Sequence, residues 1–378
     1  MYTESKRLEF LDSIRGLAAL AVLLSHTLFA FVWPPGVSHF INLPLVNVFF
    51  DGKGAVAMFF VLSGFVLSRP YVVPANGKPP RQIFLPTFYL RRLTRIWLPW
   101  LGAFGASALA QRFFFQAPIT EPPTTAWLDQ FWHVPVTLEN FLRQSIFVLH
   151  DNRVQLLNQD WSLGIELKGS ALIPLFVLLA SGWRMAGLVS LGFALLFGLP
   201  TGCFYVSFIL GILLAKYHVQ LLRWLQPWSA ISRSLLLLTG LFFYEFHHVG
   251  MSYLRLPAYE NYYWCGTSIG CVLILLGCLS SHRLQRLLNR PVPVFLGRIS
   301  YSVYLLQFIV ILCVLPPFVR CLNVLGFDQP ILLLPLTVIV SVGLTAALSA
   351  INYRLVEMPC IQLGHNLTAM IQRRLGKT

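Results

Sequence analysis

The chain has 378 residues, 56% of them hydrophobic and only 11% charged, where an ordinary soluble protein carries about 25% charged residues. So little charge cannot cover the surface of a soluble globule, which excludes that class and makes lipid the fitting solvent. The net charge of +14 suggests nucleic acid at first. Most of the Lys and Arg residues, however, fall on one side of the predicted spans, where they orient the chain and meet anionic lipid.

Apolar runs of about 20 residues, the length that crosses a 30 Å hydrocarbon core, predict an all-α, polytopic transmembrane bundle of about ten helices. In chain order the predicted spans are 10–32, 54–70, 95–115, 162–182, 185–199, 203–217, 233–249, 262–281, 296–319 and 331–355. Lys6 and Arg7 precede the first span, no small-residue cleavage pattern follows it, and it contains Asp12 and Arg15. It therefore reads as an uncleaved helix and not as a signal peptide. The fifth and sixth runs are short and separated only by Gly198-Leu199-Pro200-Thr201-Gly202, which fits either a pair of thin helices or a re-entrant hairpin. With the N-terminus inside, about three quarters of the 28 Lys and Arg residues lie on the inner side, so both termini are expected in the cytoplasm. The longest polar interruption, about 116–160, then lies outside and carries Trp127, Trp132, His133 and His150. The chain reads as a single membrane-embedded domain over 1–378. Its seven cysteines are scattered without C-x-x-C spacing and read as small apolar residues within helices; a Cys265–Cys321 bridge is the alternative.

An ionisable group inside the membrane costs roughly 2.5–3.5 kcal/mol on insertion scales and is a functional candidate by default. In the first span Asp12 and Arg15 are three residues apart and can neutralise each other. Arg15 and His26, eleven residues apart, share a helical face about 16 Å apart along the axis. A snorkelling Arg and a hydrogen-bonded core His are the bland alternative. At the third span Arg91-Arg92-Leu93-Thr94-Arg95 reads either as positive-inside anchoring or as a phosphate site, since Arg92 and Arg95 project from one face. At the fourth, Asn158-Gln159-Asp160-Trp161-Ser162 can cap the helix and anchor it at the interface, with Glu166 one turn further in. Ser63-Gly64 in the second span suits close helix packing, while Tyr301, Tyr304 and Gln307 in the ninth either line a polar path or bond between helices. Glu245, His247 and His248 lack a convincing third ligand, so no metal site is expected. Glu357 is expected to pair with Arg354 or another inner Arg.

Six of these segments, LDSIRGLAALAVLLSHT, FFVLSGFVLS, RRLTRI, WSLGIE, RISYSVYLLQ and VEMP, fall in one order from about residue 9 to 359. In this the chain resembles the acyltransferase-3 family of integral membrane acyltransferases. The resemblance implies a multi-pass protein of a bacterial cytoplasmic membrane that moves an acyl group, most often acetyl, from cytosolic acyl-CoA to a hydroxyl of a cell-surface carbohydrate. Acyl-CoA is then a donor substrate and no cofactor is permanently bound. The implied partners are a carbohydrate or glycolipid acceptor and membrane lipid, with a homo-oligomer or a polysaccharide-assembly partner possible and no nucleic acid. On this reading Arg15, Arg92 and Arg95 hold the donor phosphates, and His26 is general base or transient acyl carrier. Glu166 orients His26 or the acceptor, and Asp12, Ser63, Trp161, Ser162, Tyr304 and Gln307 contact the acceptor or support the site. Three departures stand against the family pattern. Gln307 occupies a position where the family often has His, Lys168-Gly169 follow Glu166 where a second acid is common, and the hydrolase-like domain appended in some members is missing. The rival class is a transporter or flippase for a glycan or lipid-linked precursor, which also uses buried charges and broken helices.

Overall fold

The computed structural model describes residues 8–74, 78–115, 124–132, 136–145, 156–157, 159–199, 201–254, 260–327 and 329–375; His133, His150 and Asn158 lie outside them. In chain order the helices are α1 Glu9–Phe29, α2 Pro35–Ile41, α3 Gly52–Val72, α4 Leu85–Phe113, α5 Leu138–Gln144, α6 Asp160–Leu179, α7 Met185–Gly198 and α8 Gly202–Leu225. They continue as α9 Ala230–Tyr244, α10 Phe246–Ser252, α11 Glu260–Ser280, α12 His282–Leu288, α13 Pro291–Cys313, α14 Leu315–Val324, α15 Pro330–Asn352 and α16 Met358–Arg374. Among the described residues the β features are isolated bridge positions, Phe31 paired with Thr124 and Lys78. Among the described residues seven helical runs are long and apolar enough to cross a membrane, and α7 and α9 are shorter apolar helices. Large apolar side chains point outward from them, among them Ile231 and Leu235 on α9 and Ile339 on α15, all more than half exposed. Lipid is the solvent that tolerates such a surface. The chain is thus a polytopic helical membrane protein.

Several boundaries differ from the sequence reading. α4 begins at Leu85, ten residues before the predicted start, so Arg92 and Arg95 lie within the helix and not at its mouth. The predicted span 233–249 is broken at Glu245, between α9 and α10. α8 runs 24 residues and is a full crossing helix, whereas α7 has only 14. α15 and α16 join through a π-helical turn at Tyr353–Glu357, the kind of local insertion that bends a long helix without ending it. All seven cysteines are free.

The chain forms two compact units, each assembled from separated segments. The first comprises the chain up to Ala18, Leu43–Leu85 and Lys168–Gly297. Its centre is the crossing of α3 on α8, where a Cβ on Gly64 would lie 2.2 Å from the Phe208 carbonyl oxygen and one on Gly211 would lie 2.1 Å from that of Val61. Only glycine lets the two backbones approach this closely, and Phe60 stacks on Phe208 beside the crossing with centroids 5.3 Å apart. Ser63, next to Gly64, is buried there.

The second unit comprises Ala19–Asn42, Pro86–Leu167 and Arg298–Thr378. Trp100 and Phe104 stack in its core at 4.8 Å. The segment Thr124–Trp132 is fastened to the end of α1: Thr125 donates its N–H to the Ala30 carbonyl at 3.0 Å and its hydroxyl to that of Phe29 at 2.6 Å. The last carbonyls of a helix have no partner inside it, so this segment supplies one and is held across the helix end.

Candidate active site

The second unit gathers most of the polar candidates into one buried network. His26 lies in the last turn of α1. Its Nδ1 is 3.1 Å from the side-chain oxygen of Gln307 on α13. The Gln307 side chain is fully buried, and its Nε2 donates to the Tyr304 carbonyl at 3.1 Å. Gln159, just before α6, donates from its Nε2 to the same Tyr304 carbonyl at 2.9 Å and to that of Leu305 at 2.7 Å. The Tyr304 hydroxyl meets the Ser162 hydroxyl at 2.5 Å. His26, Gln307, Tyr304, Gln159 and Ser162 are therefore linked from α1 through α13 to α6.

Aromatic rings enclose the imidazole. Trp127 lies alongside it at 5.7 Å with the planes 26° apart, Phe308 is 4.9 Å away, and Phe131 packs against Trp127 and Phe308 in turn. His26 and Trp127 both keep part of their surface exposed, so the ring is held without being sealed off.

A second polar locus in this unit joins α4 to α6. Arg92 donates from Nη2 to Glu166 Oε1 at 2.7 Å, with both side chains largely buried at 12% and 14% exposure. A guanidinium taken out of water needs a counter-charge, and Glu166 supplies it. Glu166 is thus bonded to Arg92, and the residue bonded to the imidazole is Gln307. Glu166 lies one helical turn beyond Ser162 on α6; Ser162 bonds to Tyr304 of α13, whereas Glu166 bonds to Arg92 of α4. Arg95, one turn beyond Arg92, is partly exposed. Trp161 points outward and is 42% exposed, as an interface anchor would be.

Asp12 and Arg15 belong to the first unit and form an ion pair at 3.6 Å. Ser63 is in the same unit, at the α3–α8 crossing. Glu245 and the two histidines near it are engaged otherwise than as a metal centre. The Leu45 N–H donates to Glu245 Oε2 at 2.9 Å, and Lys53 is bonded to His247 at 2.8 Å. Among the described residues no three His, Cys, Asp or Glu side chains are placed to share a metal. Glu357, expected beside an arginine, is buried and accepts from the Ser302 hydroxyl at 2.8 Å.

Three residues of the network were not singled out from the sequence as site residues. Asp160 reads from the sequence as a candidate helix cap, and Gln159 beside it carries no role of its own. Asp160 is 2% exposed and its Oδ1 accepts from Trp100 Nε1 at 2.7 Å, while its Oδ2 has no hydrogen-bond partner among the described residues. A run of three polar residues before a span was the available signal. Trp127 falls in the polar segment expected outside, and nothing in its neighbours indicates that it stacks on an imidazole a hundred residues earlier.

The model of the acyltransferase-3 family, described as an acyltransferase domain, matches residues 8–350. The O-acetyltransferase PaAT-1 of Phomopsis amygdali is 25% identical over 252 residues, an alignment covering 56% of this chain and 49% of that protein. The chain thus spans about half the length of this curated relative. No solved structure matches. A match that takes in both units and every element of the polar network leaves one conclusion about kinship: the chain belongs to the acyltransferase-3 family.

Proposed function

We propose that the chain is a membrane O-acyltransferase that moves an acyl group, acetyl by preference, from cytosolic acyl-CoA to a hydroxyl of an extracytoplasmic carbohydrate. The observation that carries this reading is His26, a partly exposed imidazole on a membrane-spanning helix, bonded to Gln307 and flanked by Trp127 and Phe308. The family supports acyl transfer, and the relative's name supports oxygen as the accepting atom.

In this reading His26 is the general base, the work for which an imidazole is best suited near neutral pH. The acceptor O–H proton passes to the free ring nitrogen as the oxygen attacks the thioester carbonyl. The C–S bond breaks, the ester forms, and the imidazolium returns the proton to the CoA thiolate. Arg95, with Arg92 beside it, is the cation offered to the donor phosphates. Arg15 is a third candidate, set about 16 Å from His26 along α1 by helix rise. The basic distribution supports both termini on the cytosolic side, the donor is taken from that side, and a bacterial cytoplasmic membrane is the proposed location.

The test is acyl transfer from labelled acetyl-CoA by membranes carrying the protein, with mass spectrometry of the surface glycans in the presence and absence of the gene. An added acetyl mass that disappears with His26→Ala, at unchanged membrane abundance, is the expected result. Full activity in the His26→Ala protein removes the imidazole from the mechanism. Acetyl transfer to an alcohol other than a sugar removes the carbohydrate, and movement of a glycan without a covalent product establishes the transporter instead.

A further inference from the structure

We propose that Gln307 is the positioning residue that sets the tautomer of His26, so that Nδ1 carries the ring proton and Nε2 is the atom that takes the acceptor's proton. The inference rests on the proposed acyl transfer for its consequence, but on geometry for its content. The Gln307 amide has one orientation that satisfies both of its neighbours. Its Nε2 faces the Tyr304 carbonyl at 3.1 Å and its Oε1 faces His26 Nδ1 at 3.1 Å. Turned over, it would set the amide oxygen against the Tyr304 carbonyl oxygen, two acceptors with no proton between them. The Tyr304 carbonyl lies within α13, where helix geometry offers it the Phe308 N–H, and it also accepts from Gln159; the groups around it are donors, and an amide oxygen has no place among them. An amide oxygen only accepts, so Nδ1 must donate. A neutral imidazole with its proton on Nδ1 has its lone pair on Nε2.

The ring is also fixed in plane. Trp127 is nearly parallel to it and Phe308 packs at 52°, so a half-turn about Cβ–Cγ, which would set Cδ2 in place of Nδ1 against Gln307, must sweep the ring past these neighbours. Gln307 thus does the orienting work that a carboxylate does in other nucleophile–base–orienter arrangements, without placing a negative charge in the membrane. Such a charge is costly inside the membrane. Glu166, the acid nearest in expectation, is committed to Arg92.

The tautomer is read directly by NMR of the full chain in detergent with 15N-labelled histidine, His26 being assigned by its loss in His26→Gln. The expected spectrum at a pH where the ring is neutral has Nδ1 protonated and Nε2 bare. A protonated Nε2 in the wild type overturns the proposal. Gln307→Leu removes the acceptor and should give a mixture of tautomers, and kcat should fall by about 100-fold, the lower end of what general-base help supplies, with KM for acetyl-CoA unchanged. Gln307→Glu and Gln307→His both retain an acceptor for Nδ1 and should keep the wild-type tautomer. A Gln307→Leu protein with an unchanged tautomer overturns the proposal, and if that variant does not fold, loss of the tautomer in the Glu and His variants does so equally. A wild type with the expected tautomer but no acyl transfer defeats the proposed function alone.

Discussion

The two ends of α1 carry the same kind of residue and treat it differently. Near the start, Arg15 finds its counter-charge three residues away in Asp12, at 3.6 Å and with both side chains 20–26% exposed. In the last turn, His26 has nothing on its own helix and is bonded to Gln307, 281 positions later in the chain. The first arrangement is local and partly solvated. The second exists only because α13 and the Thr124–Trp132 segment are brought to the helix end. The difference teaches that a site assembled from distant segments should be far more sensitive to single substitutions than a pair formed within one turn.

The sharpest test of that contrast is the pair Arg92–Glu166, also non-local and largely buried. Glu166→Ala leaves a buried guanidinium without its carboxylate and should destabilise the protein by about 3–5 kcal/mol, seen as a large fall in its unfolding midpoint in detergent. Arg92→Met together with Glu166→Leu removes both charges and should recover most of that loss. A double variant no more stable than Glu166→Ala would break the argument.

Trp127 comes next. Replacing it with Ala removes a ring worth about 0.5–1.5 kcal/mol beyond its buried area and opens one side of His26. The KM for the acceptor should rise about 10-fold while that for acetyl-CoA moves less than about 2-fold, and Trp127→Phe should restore most of the difference. Equal changes in both constants would mean that the ring serves stability alone.

The first unit offers a non-local pair of its own. Asp51, at the start of α3, caps the helix by accepting from the Gly54 N–H at 2.9 Å. Glu245 is held by Leu45, whose backbone is left-handed at φ 69°, a conformation uncommon for a residue other than glycine. Each carboxylate has a second oxygen, Asp51 Oδ2 and Glu245 Oε1, without a hydrogen-bond partner among the described residues. Burial first, and for Glu245 the Asp51 charge as well, pushes both carboxyls above their ordinary values of 3.8 and 4.5. A raised carboxyl binds its proton more tightly in the folded state, so its contribution to stability is complete below the ordinary value and is lost as pH rises through the folded one. The unfolding midpoint of Asp51→Asn/Glu245→Gln should therefore gain on that of the wild type as pH is raised from 4 to 7. A constant difference between the two proteins across that range would defeat this account.

The smallest effect belongs to the local pair. Asp12→Ala should change stability by no more than about 0.5 kcal/mol, the value of a helix-surface pair at this spacing. Arg15→Ala should be equally mild on stability, while a rise in the acetyl-CoA KM would mark Arg15 as a phosphate contact. A large stability loss from either substitution would erase the contrast between the two ends of α1.

Much of this was legible beforehand. Long apolar runs interrupted by glycine and proline announce membrane helices because the bilayer accepts little else, and the starts of α1, α3 and α6 agree with the reading to within a few residues. The ion pair of Asp12 with Arg15 follows from helical spacing alone. Some boundaries were misjudged where polar residues continue a helix past the apolar stretch, as in the first turns of α4 and in α16, and one where a polar residue, Glu245, breaks an apolar run. Glu166 was expected to orient His26 or the acceptor; the bond to His26 is made by Gln307 and Glu166 bonds to Arg92, since helical phase tells which residues share a face but not which face meets which neighbour.

Composition and periodicity by themselves determined that this chain is a helical membrane protein, and six ordered motifs placed it among acyltransferases. Those properties are local or additive, and each residue contributes to them whatever lies across from it. Only the tertiary structure decided that Gln307 serves His26, that Glu166 serves Arg92, and that Trp127 lies on the imidazole. Hydrogen bonds and ring contacts depend on distances of a few ångströms between atoms, and segments far apart in the chain acquire such distances only by packing.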